Sequence, residues 1–266
     1  MTTVAVGLDR TSVELKMYSR EKEAVFFSFL FPILLLLLFS VIFSSQFEDS
    51  ARTGMTAARY FLPGMVAAGV ILTSFQTMAM SVAAERDDGT LKRLRATPMP
   101  PAAYFLGKVG LVVCTSLVQV VLLLLVARLA FDVPLPDTGG RWLLFAGVFS
   151  LGVFGGTVLG IAYSSLASSR SIGAVVIGPQ LVLQFISGVY IAFTDVPQWL
   201  QQVAAVFPLK WIAQGMRAVF LPDGLASAEM AGSWEPGRVL LVLAAWAVAG
   251  LVLCLTTFTW FKRGTV

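Results

Sequence analysis

The feature that most constrains this chain is where its charges are absent. Six apolar stretches, 25–45, 60–84, 109–127, 142–166, 172–193 and 239–261, contain none of its 34 Lys, Arg, Asp and Glu residues. About 20 apolar residues carry a helix across roughly 30 Å of hydrocarbon, and each stretch is of that length. A charge at the middle of such a helix costs about 2.5–3.5 kcal/mol on insertion scales, so a bilayer enforces this segregation. The composition agrees: 57% of residues are hydrophobic, 13% are charged and the mean hydropathy is +0.83. An ordinary soluble domain carries roughly 25% charge. The sequence therefore predicts an all-α membrane protein, one transmembrane domain over 1–266 with six spans. The first apolar run follows 24 residues, is longer than the core of a secretory leader and lacks a small-residue cleavage site, so it reads as a span.

Basic residues set the orientation. With the N-terminus inside, segments 1–24, 85–108, 167–171 and 262–266 hold 12 of the 19 Lys and Arg in 58 residues, and the outer segments 46–59, 128–141 and 194–238 hold 7 in 73. That bias predicts cytoplasmic N- and C-termini. It also accounts for the net charge of +4 without a nucleic-acid partner.

Three polar segments are patterned. In 1–24, Val4, Leu8, Thr11, Leu15 and Tyr18 recur at helical spacing among mixed charges, which predicts an amphipathic helix along the inner membrane face. In 85–108, Asp88-Gly89-Thr90 can start a short helix capped by Asp88 or Thr90, and Thr97-Pro98 ends it. Leu91 and Leu94 give that helix an apolar edge, and Lys92, Arg93 and Arg95 a basic one. Both a docking helix and a loop made basic by topology alone fit that pattern. In 194–238, two apolar periodicities are separated by Pro208, each about a dozen residues long and too short to cross. They predict two amphipathic helices dipping into the outer leaflet, with Lys210, Gln214 and Arg217 on a polar face.

Inside the spans, Gly152, Gly156, Gly160 and Ser164 are four residues apart, a spacing that lets helix backbones approach, within one subunit or between two. Thr73, Gln76, Thr77 and Met80 share one helical face, and Gln180, Gln184 and Ser187 another. Uncharged polar faces in lipid turn toward protein or a polar cavity, so these residues either bond other helices or line a substrate path.

Several chemistries are excluded. Without His there is no His-based general base, Ser-His triad or His metal site. Cys114 and Cys254 are far apart in apolar runs and form no metal-ligand cluster. The sole Gly-Lys pair, Gly107-Lys108, is followed by Val109, and Ala102 stands where a phosphate-binding loop needs glycine. The chain has no catalytic or ATP-binding motif. Ion-coupled carriers usually hold intramembrane charges, and these spans have none.

The run Glu85-x-x-x-Gly89-Thr90-x-x-x-Leu94-x-x-Thr97-Pro98, closing at Gly107-Lys108, resembles the hallmark cytoplasmic segment of ABC type-2 permeases, the membrane subunits of bacterial ABC exporters. Phe207-Pro208-Leu209 followed by Arg217 is similar to that family's Pro-Leu…Arg segment, and the layout with Pro32 in the first span also matches. The similarity covers the whole chain and is closest to the daunorubicin-resistance branch. Asp87-Asp88 before Gly89 departs from the usual Glu-Gly-Thr run.

The resemblance implies a G-subfamily-like exporter fold: an interfacial connecting helix around Leu8–Glu23, a coupling helix over Glu85–Pro98, and re-entrant helices before the last span. It implies that Glu85, Asp88, Gly89, Thr90, Leu94, Thr97 and Pro98 engage a separate ATPase subunit, present in two copies and carrying the ATP and Mg²⁺. A second permease copy or homologous permease completes the assembly in the bacterial cytoplasmic membrane. Thr73, Gln76, Met80, Gln180 and Gln184 are then candidates to line the path of a hydrophobic or amphiphilic cargo, drug-like or lipid-like. Pro208, Leu209 and Arg217 are candidates for the outer gate. The competing reading is a secondary transporter or facilitator not powered by ATP, and a third is a non-transporting scaffold. A reporter fused after Val266 is expected to face the cytoplasm; a reporter active only outside contradicts the predicted topology.

Overall fold

The computed structural model describes residues 2–48 and 54–260. Residues 49–53, Phe261 at the end of the sixth expected span and the 262–266 tail lie outside the described residues. Among the described residues, ten helices make up the framework: α1 (Thr3–Arg20), α2 (Lys22–Ile42), α3 (Ala57–Asp87), α4 (Thr90–Arg95), α5 (Pro101–Phe131), α6 (Gly139–Tyr163), α7 (Ser169–Ile186), α8 (Gln198–Val206), α9 (Pro208–Phe220) and α10 (Pro236–Thr257). The described residues contain no strand. Six helices, α2, α3, α5, α6, α7 and α10, are long and apolar enough to cross a membrane.

Local chemistry sets several ends. Thr2, Thr56 and Thr138 accept a backbone N–H with their side chains at the starts of α1, α3 and α6. Pro101, Pro208 and Pro236 open α5, α9 and α10, where a missing N–H costs nothing. The fifth span is shorter than the apolar run suggests. It stops at Ile186 because Gly188 takes φ 72°, a left-handed turn that ends the helix seven residues before Phe193, where the apolar run ends. The third span is longer: Pro101–Lys108, expected to belong to the cytoplasmic coupling segment, are the first two turns of α5.

α3 is the central rod, 67% buried over its most apolar stretch against 22% for α2 and α7. A π-helical turn over Leu72–Gln76 interrupts it, marked by the Thr77 hydroxyl donating to the Leu72 carbonyl five residues back. The glycine stripe of α6 packs against that turn. A Cβ on Gly156 would lie 2.1 Å from Ser74 Oγ, and one on Gly160 would lie 2.5 Å from the Phe75 carbonyl oxygen. The small residues therefore serve packing within the chain.

The expected N-terminal helix forms, and one amphipathic expectation further along the chain needs correction. The buried face of α1 is Gly7, Glu14 and Tyr18, while Val4 and Leu8 are exposed. This face packs against α5 through a charged residue and glycines, which leaves Val4 and Leu8 off the protein side, where an interfacial helix meets lipid. α9 is not a surface helix: Leu209–Gly215 are all buried, including Lys210 and Gln214, because the helix lies among α3, α6 and α10.

Replacing Gly156 by Val forces bulk into the α3–α6 seam and is expected to destabilise the protein by about 1–3 kcal/mol in a thermal melt in detergent. Gly139→Ala, with nothing within 4 Å of the added carbon, is expected to leave the melt unchanged. Equal melting of the two variants contradicts the packing described.

Candidate functional site

Three helices each contribute an i, i+4 pair of polar residues to one point. α1 supplies Arg10 and Glu14, α3 supplies Ser81 and Glu85, and α5 supplies Tyr104 and Lys108. Residues at that spacing lie one above the other on a helix face. Lys108 sits at the centre with a fully buried side chain. Its Nζ donates to Glu85 Oε1 at 2.5 Å, Glu14 Oε2 at 2.9 Å and Ser81 Oγ at 3.2 Å. The Tyr104 hydroxyl donates to Glu85 Oε2 at 2.8 Å, and Arg10 Nη2 donates to Glu14 Oε1 at 2.5 Å. The ammonium has three donors and all three are used. Two cations face two carboxylates, so the cluster is neutral, the condition under which burial of such groups is tolerated.

Glycines bring the backbones together. A Cβ on Gly107 would lie 2.4 Å from Arg10 Cγ, and one on Gly110 would lie 2.3 Å from Thr11 Oγ1. Any larger residue there would push α1 off α5 and stretch the Glu14–Lys108 pair.

Glu85 begins a run of three residues at the end of α3, each tied to a different neighbour. Glu85 bonds α5. Arg86 Nη1 donates to the Ser164 carbonyl at 2.6 Å and its Nη2 to Ser164 Oγ at 2.9 Å, at the end of α6. Asp87 Oδ2 accepts the Ser169 N–H at 2.7 Å at the start of α7. The chain then turns at Gly89 (φ 78°), and Asp88 Oδ1 accepts the Thr90 N–H at 2.8 Å to start α4.

The residues expected to meet an ATPase divide accordingly. Asp88, Thr97 and Pro98 are exposed, as are Lys92, Arg93 and Arg95, while Gly89, Thr90 and Leu94 are half-buried. Leu91 anchors α4 in the core. Glu85 itself is buried and its carboxylate is committed to Lys108 and Tyr104, so it faces the interior and not an external groove.

Beside the cluster lies a cavity of about 1080 Å³, walled mainly by α2, α3 and α7. Gln76, Met80, Gln180 and Gln184 line it, with Phe27, Phe31 and Leu35 opposite. Gln184 Oε1 accepts from the Tyr190 hydroxyl, whereas Gln180 Oε1 has no hydrogen-bond partner among the described residues. Thr73 is not in this wall. The π turn rotates it away, and its Oγ1 lies 2.7 Å from Ser116 Oγ of α5 and donates to the Gly69 carbonyl. Glu14, Glu85 and Asp88 border the cavity at the α4 end.

At the opposite end, Pro208 opens α9, Leu209 is in the core and Arg217 bonds Glu229. Lys210 has no carboxylate partner among the described residues. It bonds Gln214 and lies 4.0 Å from the centre of the Trp211 ring, and burial pushes its ammonium down to about 8. Arg10, Glu14, Arg86, Asp87, Tyr104 and Lys108 are the polar residues that sequence reasoning missed as a site; the signal available was their i, i+4 pairing and the run Glu85-Arg86-Asp87.

Fold and site together define a multi-pass helical membrane protein with a neutral charge cluster locking its helices beside a large cavity. The chain belongs to the ABC-2 type transporter family, whose model matches residues 11–221. It is 24% identical over 189 residues to the Escherichia coli (strain K12) protein named "Probable multidrug ABC transporter permease YbhR", covering 70% of this chain and 49% of that one. It is 26% identical over 221 residues to the "Daunorubicin resistance ABC transporter permease protein DrrB1" of Streptomyces coeruleorubidus, covering 81% of this chain and 72% of the other. The chain thus spans about half the length of the first relative. Membership places it among the membrane components of ABC transporters.

Lys108→Met leaves Glu14 and Glu85 facing each other in the interior. Removing one partner from a buried ion pair costs about 3–5 kcal/mol, so this variant is expected to lose most of its folded yield in fluorescence-detected size exclusion. Yield and melting equal to the parent contradict the central role of Lys108.

Proposed function

We propose that this chain is the permease subunit of an ATP-driven exporter, moving a hydrophobic or amphiphilic compound out across the bacterial cytoplasmic membrane by alternating access. The observation that carries the reading is the end of α3. A small exposed basic helix, α4, follows directly on three residues that lock α3 to α5, α6 and α7, with α1 joined through Lys108. A displacement applied to α4 therefore reaches the cavity wall as a rigid-body movement and is not absorbed by a loop.

In this reading both termini are cytoplasmic and α4 seats in an ATP-binding subunit, present in two copies, that binds ATP and Mg²⁺. Asp88, Thr97, Pro98 and the basic residues of α4 meet that subunit. Glu85 acts one step inward, passing the load to α5 and α1. A second copy of this chain, or a similar permease, faces α2 and α7, the spans with the most exposed surface. Cargo occupies the cavity lined by Gln76, Met80, Gln180 and Gln184, with Thr73 bracing α3 on α5 behind it. α8 and α9, with Pro208, Leu209 and Arg217, form the outer element. The relatives' names, one multidrug and one daunorubicin resistance, support a drug-like or lipid-like cargo.

The test is co-reconstitution with the cognate ATPase in liposomes. Gly89→Val places a branched residue in a left-handed turn, with about 1–2 kcal/mol of strain concentrated at the α3–α4 joint. Transport is expected to fall by roughly tenfold, the equivalent of 1.4 kcal/mol, while ATP hydrolysis continues. Unchanged ATP-driven transport contradicts the coupling role. The purified chain alone is expected to hydrolyse no ATP; turnover without a partner sinks the proposal.

A further inference from the structure

Arg217, in the last turn of α9, joins three segments distant in sequence. Its Nε donates to Glu229 Oε1 at 2.5 Å and its Nη1 to the Gly188 carbonyl at 2.7 Å. Gly188 is in the turn after α7, and Glu229 is in the loop before α10. The carboxylate side chain is only 2% exposed and the guanidinium 12%. A Cβ on Gly188 would lie 3.2 Å from Arg217 Nη1, so the glycine keeps the turn close to the guanidinium as well as permitting its φ of 72°.

The bonding within the protein is incomplete. Arg217 Nη2, Glu229 Oε2 and Trp234 Nε1 are buried without a hydrogen-bond partner among the described residues. Buried polar atoms are rarely left unpaired, and three on residues that line one cavity point to a common partner. All three residues line a single cavity of about 30 Å³. About 10–15 Å³ of such space admits one water, so this cavity takes one or two and no organic molecule. The three atoms offer two N–H donors and one carboxylate acceptor. A water can accept two hydrogen bonds and donate two, so it can meet both donors and the carboxylate at once. An ion is disfavoured because Arg217 and Glu229 already neutralise each other.

We propose that the cavity between Arg217, Glu229 and Trp234 is a binding site for an ordered water, and that the hydrated ion pair is the clasp holding the turn after α7, α9 and the loop before α10 together. The clasp does not depend on ATP-driven transport, and its test reads structure and accessibility, not export.

The direct measurement is a structure of the full chain in lipid nanodiscs at a resolution that shows waters elsewhere. The expected map has a peak within about 3.2 Å of all three atoms. A cavity without density, or with a bound ion, overturns the proposal. The second measurement is the thiol-labelling rate of Val189→Cys, a buried position in the cavity wall, with Cys114 and Cys254 replaced by Ala. Trp234→Phe keeps the ion pair and removes one donor to the water, and labelling is expected to rise roughly fivefold, the size of one hydrogen bond. Leu225→Val changes packing in the same wall without touching a hydrogen bond, and its rate is expected to match the parent. No rise with Trp234→Phe, or an equal rise with Leu225→Val, overturns the proposal.

Discussion

The interaction on which the rest of the structure depends is the buried ammonium of Lys108, held by Glu14, Glu85 and Ser81. A lysine with no water around it is costly unless each donor is matched and its charge is neutralised. Both conditions are met only when α1, α3 and α5 are in one register. The cluster therefore selects a single arrangement of three helices whose remaining contacts are largely apolar and, in lipid, weakly directional. It also removes any free intramembrane charge at this level. Lys108 and Glu85 lie within helices long enough to span, yet they serve each other and Glu14. A neutral cluster whose ammonium and carboxylate oxygens are all bonded is in keeping with the proposed drive from a separate motor, and less so with a site that binds and releases an ion.

The same economy recurs along α3. Its π turn carries Thr73 to Ser116 of α5 and leaves Gln76 and Met80 on the cavity side, so one helix braces the bundle with one face and lines the cavity with the other. Its last three residues divide among α5, α6 and α7 before the chain turns at Gly89. Stiffness at that end and an open cavity alongside are what rigid-body alternation between two arrangements requires.

Much of this was legible in the sequence because a bilayer enforces simple rules. Charge exclusion marked six spans, and each has a helix in the structure. Gly89, Asp88 and Pro98 marked the start and stop of α4 by turn and capping chemistry that acts over a few residues. What was not legible depends on contacts between distant positions. Lys108 looked like the edge of a cytoplasmic segment because its partner Glu14 is 94 residues away. Glu85 read as a surface contact for the same reason. Thr73 was grouped with Gln76 because a regular 3.6-residue period was assumed through a π turn, whose hydrogen bonds reach five residues back and whose period is wider. Lys210 and Gln214 were placed on a wet face, since nothing local shows that α9 is enclosed on three sides. The glycine stripe of α6 was readable as close packing, but only the structure shows its partner to be α3 of the same chain.

The most direct test of rigid transmission from α4 to the cavity wall is a pair of spin-label distances in the reconstituted transporter, with labels at Thr97 beside α4 and at Leu181 on α7. On the proposed reading of two permease copies driven by a separate ATPase, adding ATP is expected to leave the Thr97–Leu181 distance within one chain constant while the Leu181–Leu181 distance between the copies changes. A shift of Thr97 relative to Leu181 within one chain, with the distance across the cavity unchanged, would contradict it.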